Sequence, residues 1–244
     1  MKQIISKVRK SVIPSKNIKK LKKQIADEVF ILVENQIRDY PEIVGLEFGG
    51  SYAKDTWLSK DADIDVFIKF EKSITDEKFT EISKKVGFES MKKYNPHVRY
   101  SEHPYVEARI KETKINVVPC YDVGLGEWKS SADRSPFHTK FMQNELTPKM
   151  RNEVRILKTF LKLTKIYGAE IAKQGFSGYV SEVLIINYGS FENVVKSIAK
   201  IQQNQVIGKT SKVFETSIVI IDPIDGNRNL AAAISDENIG KFIL

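Results

Sequence analysis

Residues 48–70 read FGGSYAKDTWLSKDADIDVFIKF, and the fold follows from how this stretch divides. Gly49, Gly50 and Ser51 form a turn in which glycine lets the backbone approach a phosphate closely, and a helix start there offers unpaired N–H donors. Downstream, Asp63 and Asp65 lie two apart in an apolar, β-prone run (Ile64, Val66, Phe67, Ile68). Strand period two puts both carboxylates on one face, and like charges held that close are unfavourable unless a cation sits between them. A phosphate cradle beside a carboxylate pair points to metal-assisted phosphoryl or nucleotidyl transfer. Asp61, Asp63 and Asp65 also imitate a calcium loop, but that loop needs glycine and glutamate where Val66 and Lys72 stand. A plain surface strand with alternate aspartates is the competing reading, and the Gly-Gly-Ser turn upstream argues against it.

Working outward, residues 15–40 read as an amphipathic helix in which Ile18, Leu21, Ile25, Val29, Leu32 and Ile37 keep three- and four-residue spacing. Pro41 ends it, and residues 43–48 form a strand into the glycine turn. Residues 62–70 are a second strand, Thr75 caps a helix, and residues 98–100, 105–111 and 114–118 are three more strands, with Glu112 and Thr113 turning the last pair. A helix pair on a mixed sheet of about five strands is an α+β head. From Thr147 and Pro148, a capping residue followed by the favoured first-turn proline, the chain turns helical, with further caps at Ser177 and Ser190. Residues 216–221 are a strand, 222–229 a polar turn, and residues from Leu230 onward a helix without a stop signal, which reads as a truncated further segment. The expected domains are therefore 1–145, 146–212 and 213–244.

The composition narrows the partners. Nine Lys or Arg residues lie between Lys2 and Lys23 with no acid before Asp27, and the formal net charge is +8, which favours a polyanionic partner. A solvated lysine face explains the N-terminal run as well as RNA binding does. No apolar run is long enough to cross a membrane, the N-terminus lacks a secretory pattern, and Cys120 is the lone cysteine, so no membrane partner is expected and a cytoplasmic location is the simple reading.

Beyond the opening signature, GSYAKDTWL from Gly50 followed by DIDVF from Asp63, further motifs occur in order: YSEHPYV from Tyr100, VVPCY from Val117, DRSPFH from Asp133, NEVRILK from Asn152, IYGAE from Ile166, GFSGY from Gly175, and DPID from Asp222 with Arg228-Asn229. Together they resemble the archaeal-type (class I) CCA-adding enzymes, tRNA nucleotidyltransferases of the polymerase-β-like superfamily, over residues from about 45 to the end. The resemblance implies a nucleotidyltransferase head and a helical nucleotide-selecting domain. It implies addition of C, C and A to the 3′ end of tRNA from CTP and ATP without a template. It further implies two Mg²⁺ ions held at Asp63 and Asp65, a triphosphate cradle at Gly50, Ser51 and Lys54, and a nucleotide pocket lined by Ser135, His138, Lys158, Tyr167 and Arg228, the last three on the phosphate side. Read alone, His138 is better taken as a structural histidine and Lys158 as an ordinary exposed helix lysine.

Three departures qualify that expectation. Asn116 stands where the family pattern has a third carboxylate; an amide oxygen can touch a metal weakly but has no charge and cannot act as a base. Glu107 and Glu112 lie nearby in sequence without a motif-based claim to replace it. Lys54 stands where arginine is common, which keeps the charge and loses the bidentate fork. The C-terminal tRNA-gripping region is missing, so a separate C-terminal polypeptide or a homodimer partner is an expected requirement. A catalytically weakened nucleotide- or RNA-binding protein, or a subunit of a split enzyme, is the alternative; another kind of nucleotidyltransferase would match only the first signature.

Overall fold

The computed structural model describes residues 2–59 and 61–244. The chain forms two compact units, one of residues 14–143 and one that joins residues 1–13 to residues 144–244. Helix α1 (Lys2–Val12) thus clusters with the second unit rather than with the head to which its sequence position assigns it. Its apolar side, Ile5 and Val12, packs with Ile156, and Arg9 donates to the buried Glu153 carboxylate at 2.6 Å.

The head opens with α2 (Lys16–Ile37), whose N-cap Ser15 accepts from the Ile18 amide. Then come β1 (Ile43–Gly49), the short α3 (Gly50–Ala53), β2 (Ile64–Phe70), α4 (Asp76–Met91, capped by Thr75), β3 (His97–Arg99), β4 (Tyr105–Ile110), β5 (Thr113–Tyr121) and α5 (Arg134–Glu145). The sheet order is β1-β2-β5-β4-β3, with β2 and β5 parallel and the other pairs antiparallel. Ile25, Ala26, Val29 and Val33 of α2 and Phe79, Ile82 and Val86 of α4 bury one face of this sheet through Ile64, Val66, Ile68 and Phe70 of β2 and Ile115 and Val117 of β5. Because strand side chains alternate, Asp65 and Asn116 are directed to the other face.

Several elements differ from the sequence expectation. β5 runs on to Tyr121 through Pro119, which lies beyond the last β4 partner, Val117, so the missing N–H breaks no bond to β4. The hairpin turn is Lys111-Glu112, one residue earlier than read, with Lys111 at φ 54° and Ile110 pairing with Thr113. α5 has no regular apolar stripe in RSPFHTKFMQNE and escapes periodicity. It follows the Ser130–Asp133 capping box, in which buried Asp133 accepts from the Ser130 and Lys129 amides and, across the loop, from the Tyr121 amide.

The buried face of α2 is also shifted. Lys22, not Leu21, points inward: Leu21 is exposed, whereas the Lys22 ammonium donates to the Ala62 carbonyl at 2.8 Å and the Thr113 hydroxyl at 2.7 Å. Burial lowers the Lys22 pKa and the Asp63 charge opposes that shift. Lys22 thus ties α2 to the beginnings of the regions that carry Asp63 and Asn116.

In the second unit α6 (Pro148–Leu163), α7 (Gly178–Tyr188) and α8 (Phe191–Ile198) are capped by Thr147, Ser177 and Ser190. A three-stranded sheet follows, ordered β6 (Gln205–Ile207), β7 (Ile218–Asp222), β8 (Asp225–Asn229), and α9 (Asp236–Ile243) closes the chain. The expected polar turn at 222–229 is instead a hairpin: Asp222 pairs with Asp225 and Ile221 with Asn229, and residues 230–235 are turns before α9. DGNRN is poor in β-formers; it becomes a strand because the fully buried, β-branched β7 offers it a ladder.

Candidate active site

A row of polar residues crosses the head sheet on the face away from the helices. Register pairs Asp65 of β2 with Asn116 of β5, Asn116 with Glu107 of β4, and Glu107 with His97 of β3. Asn116 Nδ2 donates to Asp65 Oδ1 at 2.7 Å, while Asn116 Oδ1 is buried without a hydrogen-bond partner. Asp63 lies just before β2, which begins at Ile64 rather than Ala62. Its side chain is 41% exposed, and Lys114 Nζ stands 3.5 Å from its Oδ2. Burial pushes the Asp65 carboxyl up from its ordinary range and the Asp63 charge adds to that; the Asn116 hydrogen bond, Lys54 and Lys114 pull it back. At Glu107 burial would also raise the pKa, but hydrogen bonds from Arg99 at 3.2 and 3.3 Å, with the charges of Lys114 and His97, outweigh it and hold this carboxyl low.

The glycine turn abuts this row. Gly49 is the register partner of Asp65. Gly50 has φ +60°, and a Cβ there would lie 1.8 Å from Asp65 Oδ2, so both its backbone conformation and its neighbour require glycine. Ser51 follows within α3, its carbonyl accepting from the Thr56 amide. Lys54 is buried, with a charge that acts on Asp65. Ser135 and His138 are partly buried, three residues apart on α5 and so on one side of that helix.

The donor set fits a divalent cation. Two carboxylates, one of them forced up by burial and its like-charged neighbour, gain by sharing a cation. The orphaned Asn116 oxygen is a neutral donor, though its amide would have to turn, since the nitrogen now faces Asp65. Among the described residues no group of three or more His, Cys, Asp or Glu side chains gathers to hold a metal. Asp63 and Asp65 are the residues that would hold the ion.

Lys158, Tyr167 and Arg228 all belong to the second unit, where they surround the start of α7. A Cβ on Gly178 would lie 2.9 Å from the Tyr167 hydroxyl and 3.4 Å from Lys158 Nζ. Lys158 Nζ donates to Glu182 Oε1 at 3.1 Å, a pair buried on both sides. Arg228 Nη1 donates to Asp222 Oδ2 at 3.0 Å, and the Tyr179 hydroxyl donates to Asp222 Oδ1 at 2.9 Å. Burial and the Asp222 charge push the Tyr179 phenol well up, so it remains a donor.

The residues that sequence reasoning missed are Lys22, Lys114, Glu182 and, as parts of the site, Tyr179 and Asp222. Lys22 carried a readable signal: it falls in line with Ile18, Ile25, Val29 and Val33 at helical spacing, a position where a lysine needs a buried acceptor. Glu182 and Lys158 belong to different helices, and no spacing rule connects them.

The chain is similar to known proteins along its length. Residues 31–140 match the family model described as nucleotidyltransferase domain, and residues 152–244 match tRNA nucleotidyltransferase, second domain. The CCA-adding enzyme of Methanocaldococcus jannaschii is 36% identical over 264 aligned positions, spanning 100% of this chain and 58% of the relative. That of Sulfurisphaera tokodaii is 39% identical, over 86% of this chain and 54% of the relative. Over most or all of its length the chain is similar to these archaeal CCA-adding enzymes. It spans between half and two thirds of the length of these relatives and corresponds to their N-terminal part.

Solved structures share the fold at low identity. A Cid1 poly(U) polymerase structure superposes with a TM-score of 0.74 at 11% identity, over 99% of this chain and 90% of that one. CdnC of E. coli MS115-1, in complex with HORMA-deltaN, gives 0.72 at 17%, over 99% and 86%. No helix among the described residues is long and apolar enough to cross a membrane.

Proposed function

We propose that this chain is the catalytic and nucleotide-selecting part of an enzyme that adds CCA to the 3′ end of tRNA from CTP and ATP, in the cytoplasm. The observation that carries the reading is that Asp65, two residues after Asp63, lies against a glycine turn that no side chain can fill. Family motifs extending from that turn to Arg228 accompany it. Asp63 and Asp65 hold Mg²⁺, which when bound stabilises charge on the triphosphate and on the attacking 3′-oxygen. The resemblance implies two ions; the carboxylates here suffice for one, and a second would rest on the Asn116 amide.

Gly50 and Ser51 offer backbone and hydroxyl donors to the triphosphate, and Lys54 neutralises it from beneath the turn. Lys158, Tyr167 and Arg228 serve phosphate oxygens, where fixed cations and a directional hydroxyl are effective partners. Their carboxylate partners Glu182 and Asp222 set the positions of the two cations. Ser135 and His138 line the nucleotide pocket. Residues 14–143 are the catalytic head, and residues 144–244 carry nucleotide selection and the start of a further segment. Binding of tRNA involves a C-terminal polypeptide, supplied in the same chain, by a partner or by a second copy.

The test is incorporation of labelled CMP and AMP into tRNA lacking its CCA end, with the chain joined to the C-terminal remainder of a relative. Incorporation that Asp63→Asn abolishes is the expected result. No incorporation by either this chain or its Asn116→Asp version, both folded, would sink the proposal. Asn116 favours a second reading, a nucleotide- or RNA-binding protein that no longer catalyses; ATP binding with Mg²⁺ and no turnover in either version would establish it.

A further inference from the structure

Lys114 and Asn116 lie two apart on β5 and so share its polar face. Where the family resemblance calls for a third carboxylate there is an amide. Its nitrogen is spent on Asp65 Oδ1 at 2.7 Å and its oxygen is buried and unpartnered. Beside it the Lys114 ammonium stands 3.5 Å from Asp63 Oδ2 and 4.0 Å from Glu107 Oε2. Glu107 is already served by two hydrogen bonds from Arg99, with His97 Nε2 at 3.3 Å, so Asp63 is the closer claim on Lys114. The charges then balance in a particular way. A divalent cation held by one extra carboxylate contributes one net positive charge to the site. An ammonium beside a neutral amide contributes the same.

We propose that the head holds one divalent ion, at Asp63 and Asp65, and that the Lys114 ammonium stands in for the second ion, with Asn116 as the neutral residue that makes room for it. This rests on the nucleotidyl-transfer reading and goes beyond it, since the family resemblance implies two ions. Two features of the geometry support it. A third carboxylate at 116 would press a further negative charge onto Asp65; the amide instead donates a hydrogen bond to it at 2.7 Å. The Lys114 side chain is 32% exposed, placing its ammonium at the site's surface, where a substrate hydroxyl can approach. Lys114 is a positioning residue in this scheme: it orients and partly neutralises Asp63.

The test counts bound Mn²⁺ by electron paramagnetic resonance, titrating the chain in the presence of a non-hydrolysable CTP analogue. One ion per chain is expected for the wild type, and two for the Asn116→Asp/Lys114→Met double variant. Lys114→Met alone should bind its single ion about tenfold more tightly, because a like charge near the metal has gone. Lys114→Arg, which keeps the charge, should retain wild-type stoichiometry and affinity. Two ions in the wild type would overturn the inference while leaving the proposed function standing; no ion in any version would overturn both. A double variant that is folded by thermal melting yet still holds one ion would also overturn it. Should that variant not fold, the wild-type count and the Lys114→Met affinity decide.

Discussion

The two units treat their charges in opposite ways. Around the start of α7 two cations of the candidate site meet fully buried carboxylates: Lys158 meets Glu182, and Arg228 meets Asp222, which also holds Tyr179. On the head sheet Asp63 and Asp65 repel each other, Asp65 is forced up by burial, and Asn116 leaves an oxygen orphaned. The first arrangement is a finished frame, satisfied before any ligand arrives. The second is a site whose own contacts do not satisfy it, which is how a fold stores affinity for a cation. The contrast teaches that satisfied and unsatisfied charges lie in different parts of the chain.

Breaking the finished frame should cost most. Glu182→Ala leaves the Lys158 charge without its buried counter-ion and should destabilise the protein by about 3–5 kcal/mol, read by chemical denaturation. The unsatisfied site should respond the other way. Asp65→Asn should lower CMP incorporation by about 10²–10³-fold, through lost electrostatic stabilisation, with the melting temperature little changed or raised. A large loss of stability with that substitution would show that the head carboxylates are structural, and the comparison would collapse.

Gly50→Ala tests the junction between turn and site. It introduces a Cβ where Asp65 Oδ2 already lies, at a positive φ, and should cost about 1–3 kcal/mol in stability, measured by denaturant titration.

The smallest effect is in the pH dependence. Because the folded pKa of Asp65 is raised, the folded head binds its proton more readily than the unfolded chain does. Its contribution therefore favours folding at low pH and is lost as pH rises from the ordinary aspartate range through the raised value. Glu107, held low, acts oppositely: its contribution is present above the ordinary glutamate range and is lost as pH falls through the lowered value. The stability advantage of Asp65→Asn over wild type, measured without metal, should thus grow with pH across the acid range, and that of Glu107→Gln should shrink. Parallel curves would mean that neither carboxylate is perturbed.

Much of the head was legible in the sequence because its signals are local. The alternation through Ile64, Val66, Ile68 and Phe70 identifies β2 and, by parity, sends Asp65 to the other face. Thr75, Thr147, Ser177 and Ser190 cap the helices they precede, since a cap hydrogen bond spans only three residues. The positive φ of Gly50 is consistent with the turn read from Gly-Gly-Ser. What the sequence hid lacks a local signature: α5 has no stripe, and DGNRN is a strand only because β7 lies beside it.

The opening stretch of residues 48–70 shows the same division. By itself it determined a strand that carries Asp65, with Asp63 just ahead of it and a glycine turn upstream, because strand period and glycine geometry are properties of neighbouring residues. Only the tertiary structure decided what stands around those aspartates. The Asn116 amide on Asp65, the Lys114 ammonium on Asp63 and the Lys22 ammonium under Ala62 come from residues up to 51 positions away. They are brought together by strand register and helix packing, and these are fixed by the burial of side chains on the opposite face of the sheet.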